Sequence, residues 1–460
     1  TMADGAASLL PTAGYDGEDR ISALHDDLLC AIISRLSVTD AARTTALSPR
    51  WRHLWHSTPL ALDDVDLHES VRDAVVPRIL ADHPGPFRAV RLAECRSASL
   101  DHELAEWPRL LATKGIQKLA LVNKHAQAQH TFSPLPADIL RCASLQSISL
   151  SFWTFPVDLS DVFLPKLQSL NMTRVDMSDH DLECLLAVSP VLKIIVLARN
   201  KPKHVHLRSQ SLQCVVIGRS AVKEVAVMET PLLDRLILLD PPRVVGGAGM
   251  RVKFACAPNL RVLGYLEPRG HKLQIGDHVI EPNMKASPGT VVPSVKILAL
   301  KVNFGVLGEV NMLARFLRCF PNVDTLHIES LRHDPFVAGY DPTGEYHAKF
   351  WQEVSPIKCL RSHVKRMVFH KYRGYQNEFE FLKFIAKGAL ELQSLVLVPR
   401  EENFALRHEM DEMIDGLGCP RFREWTSKVL LVLTKVDVAF SLKEASDLTV
   451  DDPFPCSMHG

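Results

Sequence analysis

The 460-residue sequence lacks a long hydrophobic run. Its longest apolar stretch near the C-terminus, 429–433, falls far short of the roughly 20 residues that a membrane-spanning helix needs. The first 19 residues include acidic side chains and no basic segment that leads into an apolar stretch, so a secretory signal is not expected. These absences predict a protein of the nucleus or cytoplasm that does not associate with membranes.

The sequence also lacks an excess of charge of either sign. Lysine plus arginine and aspartate plus glutamate both number 53, so the formal net charge is zero. A chain without net charge has no general field that attracts phosphate backbones or anionic lipid. Broad nucleic-acid binding is therefore not expected, although the basic and aromatic segment 361–375 is a local candidate.

Motifs of catalysis and metal binding are missing too. The 10 cysteines include no C-x-x-C pair, which fits reduced thiols in a reducing compartment. The sequence contains no G-x-S-x-G elbow, P-loop or dinucleotide fingerprint. His204 with His206 and His53 with His56 have spacings that could hold a metal, but we expect a surface pair and a packing pair. We therefore predict no catalytic residue, no metal, no cofactor and no enzyme activity.

Residues 19–55 carry the start signals of three short amphipathic helices. The signals are Asp26 and Asp27 in the first turn of the first helix, Ser37 with Asp40 three residues later for the second, and Ser48 followed by Pro49 for the third. Apolar residues recur at three- and four-residue intervals in the first helix, at Leu28, Leu29, Ile32, Ile33 and Leu36. A unit of about forty residues cannot bury so much apolar surface alone, so part of it should need a partner.

This stretch resembles a plant F-box. The likeness is carried by Leu24, Asp26, Asp27, Leu28, Leu29, Ile32, 34–36, 41–43, 47–48 and 50–55. The resemblance implies a helix-in-groove contact with a Skp-type adaptor. The adaptor-binding residues would be Leu24, His25, Leu28, Leu29, Ile32, Leu36, Leu47, Arg50, Trp51 and Trp55. The family usually has Leu-Pro before the acidic pair, whereas this chain has Leu24 and His25. The alternative is that these apolar residues form the ordinary core of a small helical domain.

An apolar-x-x-apolar-x-apolar phrase repeats through the rest of the chain. Its copies are Ile116, Leu119, Leu121; Leu145, Ile148, Leu150; Leu167, Leu170, Met172; Leu192, Ile195, Leu197; Leu212, Val215, Ile217; Leu233, Leu236, Leu238; Leu260, Leu263, Tyr265; Val295, Leu298, Leu300; Val323, Leu326, Ile328; Val364, Met367, Phe369; and Leu392, Leu395, Leu397. The last two apolar residues point the same way on a strand, into a core between stacked repeats. In six copies a proline stands two residues ahead, at Pro165, Pro190, Pro231, Pro258, Pro293 and Pro321.

These repeats resemble degenerate leucine-rich repeats, so the predicted fold class is α/β: a small three-helix F-box followed by an irregular leucine-rich-repeat solenoid. A conventional α/β or α+β domain is the alternative. Residues 358–398 resemble the FBD region that closes many plant F-box proteins, at Cys359, Leu360, Val364, Lys365, Gly374, Glu378, Ala389, Leu390 and Leu395. From the residues alone we expect a strand, a turn at Gly374, a helix capped by Asn377 with Glu380, and a strand.

The expected division of the chain is a disordered N-terminus over 1–18, the F-box over 19–62, the solenoid over 63–350, an FBD-like region over 351–399 and an extension over 400–460. Two wide gaps, 266–293 and 330–358, read as inserted loops. In the extension we expect a charged helix over 402–417, apolar strands within 429–442 and a flexible tail over 451–460.

The resemblance implies a non-catalytic receptor of an SCF-type E3 ubiquitin ligase. It would bind a Skp-type adaptor, and through it cullin and RING subunits, and would present an unknown target protein for ubiquitination and proteasomal degradation. Target contacts are expected on the inner curve at Ser149, Ser151, Asn171, Thr173, Lys301, His327, Glu329 and His370; an apolar groove is the other option, since Val196, Ala198, Val216, Gly218 and Val396 lie at equivalent positions. Alternatives are a scaffold outside any ligase, which His25 favours, and a nucleic-acid-associated factor.

Overall fold

A computed structural model describes residues 20–94, 109–129, 131–156, 159, 161–239, 249–281, 287–332, 344–400 and 441–454. The expectations for 1–18 and for most of 400–440 lie outside these residues. Within the described residues, no helix combines the length and the apolar content needed to cross a membrane.

Within the described residues, three N-terminal helices precede a long series of strands and further helices. The helices are α1 Asp26–Ile33, α2 Val38–Thr44, α3 Pro49–Ser57, α4 Glu69–Asp82, α5 Lys124–Gln129, α6 Asp179–Val188, α7 Leu307–Cys319, α8 Glu345–Glu353, α9 Lys358–Ser362, α10 Gln376–Gly388 and α11 Leu442–Ala445. The strands are β1 Leu60–Asp63, β2 Phe87–Leu92, β3 Lys118–Val122, β4 Ser133–Pro134, β5 Ser147–Ser151, β6 Trp153–Thr154, β7 Ser169–Thr173, β8 Ile194–Ala198, β9 His204–Arg208, β10 Cys214–Gly218, β11 Glu224–Glu229, β12 Arg235–Leu239, β13 Met250–Phe254, β14 Val262–Leu266, β15 His271–Ile275, β16 His278–Val279, β17 Ile297–Val302, β18 Thr325–Ser330, β19 Arg366–Tyr372 and β20 Ser394–Pro399.

Among the described residues, thirteen strands form one long parallel sheet, which confirms the predicted solenoid. Their order is β1-β2-β3-β5-β7-β8-β10-β12-β14-β17-β18-β19-β20. All eleven copies of the repeated phrase end in strands of this sheet. The phrase does not mark β1 and β2, which come before its first copy. Apolar residues two apart therefore stack from strand to strand, as Leu119, Ile148 and Leu170 do, in one continuous core.

The prolines ahead of the strands occupy tight turns. In the copy around Pro190, the backbone N–H of Leu192 donates to the carbonyl oxygen of Ser189 at 3.2 Å. Leu233 donates in the same way to Thr230 across Pro231. A proline at the second turn position is favoured because its ring already holds the required φ. Each such turn ends the outer segment and directs the chain into the next strand.

One copy of the phrase is out of register. Sequence periodicity places Tyr265 in the solenoid core, but the pairing of β14 with β17 shifts between Leu263 and Leu266. Leu266 consequently joins the core, and Tyr265 packs on the inner face of the sheet. An irregularity of one residue moves the following side chains to the opposite face, which a fixed period cannot anticipate.

In the middle repeats, the segments that connect one strand of the long sheet to the next are themselves strands. In the described residues they form a second sheet in the order β16-β15-β13-β11-β9. The gap 266–293, which was expected to be an inserted loop, contributes β15 and β16 to this sheet. The prediction of an unstructured insertion there was wrong. Alternating Leu273 and Ile275 pack inward and give that segment a strand's burial pattern. The second gap contains α8 at its described end.

The FBD-like region ends the sheet with β19, α10 and β20. The predicted cap of α10 is off by two residues: the N-cap is Tyr375, and Glu378 rather than Glu380 closes the cap. Glu378 is buried and accepts from the backbone N–H groups of Tyr375 at 3.1 Å and Arg373 at 3.0 Å. Ser330 of β18 donates a short hydrogen bond to the same carboxylate. Glu378 thus joins the end of β18, the turn after β19 and the start of α10.

Residues 451–454 are not the flexible tail that the sequence predicted. Phe454 is buried at 2% exposure, and Asp452 accepts a hydrogen bond from His327 at 2.9 Å. Phe454 packs edge-on against Tyr265 with ring centroids 5.0 Å apart. The described end of the chain therefore lies against the inner face of the long sheet.

Buried histidines should make the protein sensitive to mild acid. Burial lowers the pKa of His271 and of His83 from 6.5 to about 4. Between these values the unfolded chain binds protons that the folded chain does not, so stability is lost as pH falls from 6.5 toward 4. For His271, at 2% exposure, the shift corresponds to on the order of 3 kcal/mol.

Urea unfolding at several pH values checks this expectation. The free energy of unfolding should be flat above about pH 7 and should fall through pH 6 and 5. The variant His271→Gln, which cannot take up a proton at that position, should show a shallower fall. An unfolding free energy that is unchanged between pH 7 and 5 would contradict the prediction.

Candidate functional sites: the helical module and the inner face of the sheet

The three N-terminal helices begin where the sequence predicted. Ser37 accepts from the backbone N–H of Asp40 at 3.1 Å, and Ser48 accepts from that of Trp51 at 3.4 Å. Pro49 takes the first position of α3. Each cap satisfies an N–H group that the helix itself leaves unpaired. The caps fix the ends of helices only seven to nine residues long, which are too short to be stable in isolation.

The helical module exposes part of its apolar surface. Leu28, Ile32 and Leu47 are 54%, 41% and 66% exposed. Leu28 and Ile32 are four residues apart, so they lie side by side along the outer face of α1. Large apolar side chains so exposed within one small module are candidates for a protein contact. We call these three residues the exposed apolar face of the module.

Two predicted adaptor-binding residues are instead in the core. Leu29 is 0% exposed and Trp51 is 4% exposed, so neither side chain is available to a partner in this conformation. They pack with Ile33 and Leu54 in the same cluster as the solenoid core. The helices α1 and α3 contact one another, and Leu29 of α1 and Trp51 of α3 are both buried. Leu24, Leu36 and Trp55 are partly buried against this core.

Arg50 and His25 hold the start of α1. The Arg50 guanidinium donates to the Asp26 carboxylate at 2.6 and 2.8 Å and to the carbonyl oxygens of Ser22 and Leu24. His25 is the N-cap, and its ring nitrogen accepts from the backbone N–H of Asp27 at 3.4 Å. Arg50 therefore ties the segment before α1 to α3. The histidine supplies a long, exposed capping bond at the position where the F-box pattern that this stretch resembles usually has proline.

The variant His25→Pro should modestly strengthen the adaptor binding that the resemblance to an F-box implies. His25 already has a φ of −63°, which is the value that a proline ring fixes. Such a substitution stabilises the folded form by about 0.4–1 kcal/mol because it restricts the unfolded chain. If adaptor binding requires an ordered start of α1, affinity should rise by up to about fivefold, as measured by calorimetry. The control His25→Ala removes the cap without adding a ring and should weaken binding; a proline variant no better than alanine would contradict the prediction.

The helical module is joined rigidly to the solenoid. Strand β1 starts three residues after α3 and is the first strand of the long sheet. The Trp55 and His83 rings meet edge-on at 4.7 Å, and Arg88 of β2 donates to the carbonyl oxygen of Ser34 at 3.1 Å. One continuous core runs from Leu29 to Leu397. A partner held by the helices therefore has a defined position relative to the sheet.

The inner face of the sheet has two different parts. On β5 and β7 it is polar, and the predicted target contacts Ser149, Ser151, Asn171 and Thr173 are half-buried there. Farther along, Lys301, His327 and Glu329 are 7%, 0% and 8% exposed. In this conformation the three side chains are therefore not open to a target, and their contact with a target stays a prediction. His370 is half-buried beside them, 3.1 Å from His327.

The chain's own C-terminal residues account for the burial of His327. Its imidazole lies between His370, Asp452 and Phe454, with ring centroids 5.4 Å from His370 and 5.2 Å from Phe454. Burial lowers the pKa of His370 to about 3, with the nearby His327 adding to the effect. Lys301 and Lys371 both approach the Glu329 carboxylate, at 4.0 and 2.8 Å. These charges are paired within the fold, so they are not free to select a target.

The histidine pair His204 and His206 has acidic neighbours that the sequence did not reveal. Asp179 and Glu183, one turn apart on α6, lie 2.8 and 2.9 Å from the two Nδ1 atoms. Both pairs are exposed, so each contributes little to stability. The residues that the structure describes contain no group of three or more His, Cys, Asp or Glu side chains able to hold a metal ion.

Sequence reasoning did not find the two arginines that contact residues 441–454. Arg235 is 1% exposed and donates to the carbonyl oxygens of Asp447 and Val450. Arg261 donates to Asp234 at 3.0 Å and to the Asp451 carbonyl oxygen at 3.4 Å. The sequence signal in this part of the sheet was the apolar character of the inner positions Val196 and Val216, which indicated an apolar groove but not the arginines beside it.

Three family models match the chain. The F-box domain matches residues 21–62, "FBD-associated F-box protein At5g56370, LRR repeats" matches 104–328, and FBD matches 352–397. FBD-associated F-box protein At5g60610 of Arabidopsis thaliana is 26% identical over 405 residues, which cover 81% of this chain and 97% of that protein. FBD-associated F-box protein At5g56370 of the same plant is 25% identical over 83% of this chain and 91% of its own length. F-box/LRR-repeat protein At3g26922, also from Arabidopsis thaliana, is 30% identical over 40% of this chain and 60% of its own length.

Proposed function

Because the chain belongs to the plant F-box, leucine-rich-repeat and FBD proteins, we propose that it is the substrate-recognition subunit of an SCF-type E3 ubiquitin-protein ligase. Its F-box would bind a Skp-type adaptor and, through the adaptor, cullin and RING subunits. Its solenoid would bind a target protein for ubiquitination and proteasomal degradation. The observation that carries the proposal is the exposed apolar face of a correctly capped F-box.

The exposed apolar face supports adaptor binding on energetic grounds. A helix-in-groove interface is anchored by a few large apolar side chains, and truncating such anchors commonly costs 2 kcal/mol or more each. Leu28 and Ile32 on α1 are suited to this role because they are exposed while the helix beneath them is held by Leu29 and Ile33. The buried side chains Leu29 and Ile33 thus hold α1 so that Leu28 and Ile32 keep a fixed position on its exposed face.

The rigid junction supports the presentation of a target. Ubiquitin transfer from a bound conjugating enzyme is accelerated when target lysines are held close to the thioester, because the encounter becomes intramolecular. A flexible connection between adaptor site and target site would dilute this effect. The continuous core from the F-box into the sheet keeps the two sites at one separation. In this proposal the chain contributes binding and position, and the chemistry belongs to the other subunits.

Assembly with purified subunits tests the proposal. The chain is co-expressed with a Skp-type adaptor, and the complex is applied to an immobilised cullin–RING pair. We expect the chain to be retained only when the adaptor is present. A chain that binds the adaptor but is never retained with cullin would act as a scaffold outside a ligase. A chain that does not bind the adaptor at all would remove the basis of the proposal.

A further inference from the structure

The inner face of the long sheet carries a segment of its own chain. Residues 441–454, which we call the C-terminal segment, cross the strands in order from β10 to β18. Leu442 lies over Gly218 of β10, where an added Cβ would sit 3.4 Å from the leucine side chain. Phe454 lies at the other end, against Tyr265 and His327. The segment therefore occupies the surface that a solenoid offers to a ligand.

Arginine side chains hold the backbone of the segment. Arg235 donates to two carbonyl oxygens of the segment, those of Asp447 and Val450, and its guanidinium is otherwise positioned by Asp234 at 3.3 Å. Arg261 donates to a third carbonyl oxygen, that of Asp451. Carbonyl oxygens are common to every peptide. These arginines therefore bind the backbone of a peptide and do not distinguish one side-chain sequence from another.

Apolar side chains give the contact its sequence preference. Ala445 is 0% exposed and Phe454 is 2% exposed, and both belong to a cluster of inner-face residues. The cluster members from the sheet are Val196, Cys214, Val216, Ile237, Val262, Tyr265, Ile297 and Ala299. Leu442 and Leu448 pack at its edge. A ligand needs a small side chain over β10 and an aromatic one nine residues later to fill the same space.

The segment and its surface are complementary in charge. The segment contains one lysine and four acidic residues, Glu444, Asp447, Asp451 and Asp452. The surface beneath supplies the guanidinium groups of Arg235 and Arg261, which Asp234 also contacts, and the imidazole of His327, which donates to Asp452. The Asp451 carboxylate lies 3.9 Å from the Arg261 guanidinium, and the Asp452 carboxylate accepts from His327, so this surface offers partners to an acidic ligand.

The solenoid core is complete without the C-terminal segment. The main cluster of buried residues extends from Leu29 to Leu397 and includes no residue of 441–454. Ala445 and Phe454 belong to a second, smaller cluster on the other face of the sheet. The hydrogen bonds described above run from the side chains of Arg235, Arg261 and His327. Departure of the segment would therefore uncover an apolar groove while leaving the repeats packed.

We propose that the inner face over β10–β18 is a peptide groove for an acidic linear segment of a target protein, and that residues 441–454 occupy it until such a segment displaces them. This inference rests on the proposed function, since it names the surface and the chemistry through which a receptor selects its target. The ligand is an acidic peptide that starts with a helical turn, as residues 442–445 do, and has a small anchor followed nine residues later by phenylalanine. The polar strip on β5 and β7 stays available for further contacts beside it.

A synthetic fluorescent peptide with the sequence of 441–454 serves as the probe. Its binding to three full-length chains is measured by anisotropy: the unaltered chain, the double variant Ala445→Asp with Phe454→Asp, and the control Lys443→Glu. Lys443 is exposed, so its variant changes the charge of the segment by two units, as the double variant does, at a side chain that faces away from the apolar cluster. The double variant places carboxylates in the apolar cluster and should release the segment. We expect it to bind the probe at one site, at least about tenfold tighter than the other two chains.

Two further measurements make each outcome decisive. A probe carrying the same two aspartates should not bind, and a chain ending at residue 440 should bind the unaltered probe as the double variant does. The proposal is overturned if the released chains fail to bind the probe, or if they lose cooperative unfolding, because the segment is then a permanent part of the fold. Adaptor binding is measured on the same chains. If the chains bind the adaptor but the released chains do not bind the probe, only the peptide-groove proposal is refuted. If the chains do not bind the adaptor, the proposed function is refuted.

Discussion

Replacing Leu28, Ile32 and Leu47 together by alanine is expected to weaken adaptor binding at least about 100-fold. These side chains are the exposed apolar face of the F-box, and each is more than two-fifths exposed. Truncating an interface anchor commonly costs 2 kcal/mol or more, and about 1.4 kcal/mol corresponds to a tenfold change in affinity. The free energy of unfolding should change by no more than about 0.5 kcal/mol per site, since exposed side chains contribute little to folding. Calorimetric titration with the adaptor and urea unfolding measure the two quantities.

The chain offers matched controls for this triple variant. Leu232 and Leu390 are 49% and 45% exposed and lie in the repeats and in the FBD-like region. Replacing both by alanine removes exposed apolar side chains far from the F-box and should leave adaptor affinity unchanged. Equal losses of affinity in the two variants would mean that the F-box face is not the docking surface.

Trp51→Ala should abolish adaptor binding by a different route. Trp51 is 4% exposed and packs with Leu29, Ile33 and Leu54, so alanine would leave a large cavity beneath α1. Removing a buried tryptophan side chain costs about 3–5 kcal/mol. The free energy of unfolding should fall by that amount, and adaptor binding should disappear as the F-box loosens.

Trp51→Phe separates the two explanations for this loss. Phenylalanine retains an aromatic ring in the core, so the variant should be less destabilised and should keep most of its adaptor affinity. Far-UV circular dichroism during urea unfolding gives the stability. If Trp51→Ala loses adaptor binding at unchanged stability, the indole contacts the adaptor directly, and its burial in the free chain would be misleading.

Local signals explain what could be predicted from the sequence. Ser37, Ser48 and Pro49 act within four residues of themselves, so their effect on helix starts needs no knowledge of the remaining chain. The repeated phrase works similarly, because residues two apart on a strand share a face regardless of what lies around the strand. Fold class and the positions of the long-sheet strands from β3 to β20 could therefore be predicted, apart from the register shift within β14. The strands β1 and β2 and the second sheet carry no copy of the phrase, so the sequence pattern did not locate them.

Burial could not be predicted because it depends on what packs from a distance. Periodicity puts Trp51 and Trp55 on one side of α3, but only the packing of α1 decides that Trp51 is enclosed. Burial on the inner face depends on residues that are still farther apart in the sequence. The Cys214 Sγ atom lies 3.8 Å from the carbonyl oxygen of Ala445, which is 231 residues later in the chain. The sequence of its own repeat places His327 on the exposed inner face, but Asp452 and Phe454 pack against it and bury it.

Hydrogen–deuterium exchange of the full chain with and without a Skp-type adaptor tests the central claim most directly. Added adaptor should slow amide exchange in α1 and in the segment between α2 and α3 around Leu47, and should leave the strands from β5 to β20 unaffected. That pattern would place the adaptor on the exposed apolar face of the F-box. Protection confined to the solenoid strands, or no change anywhere at saturating adaptor, would contradict the account.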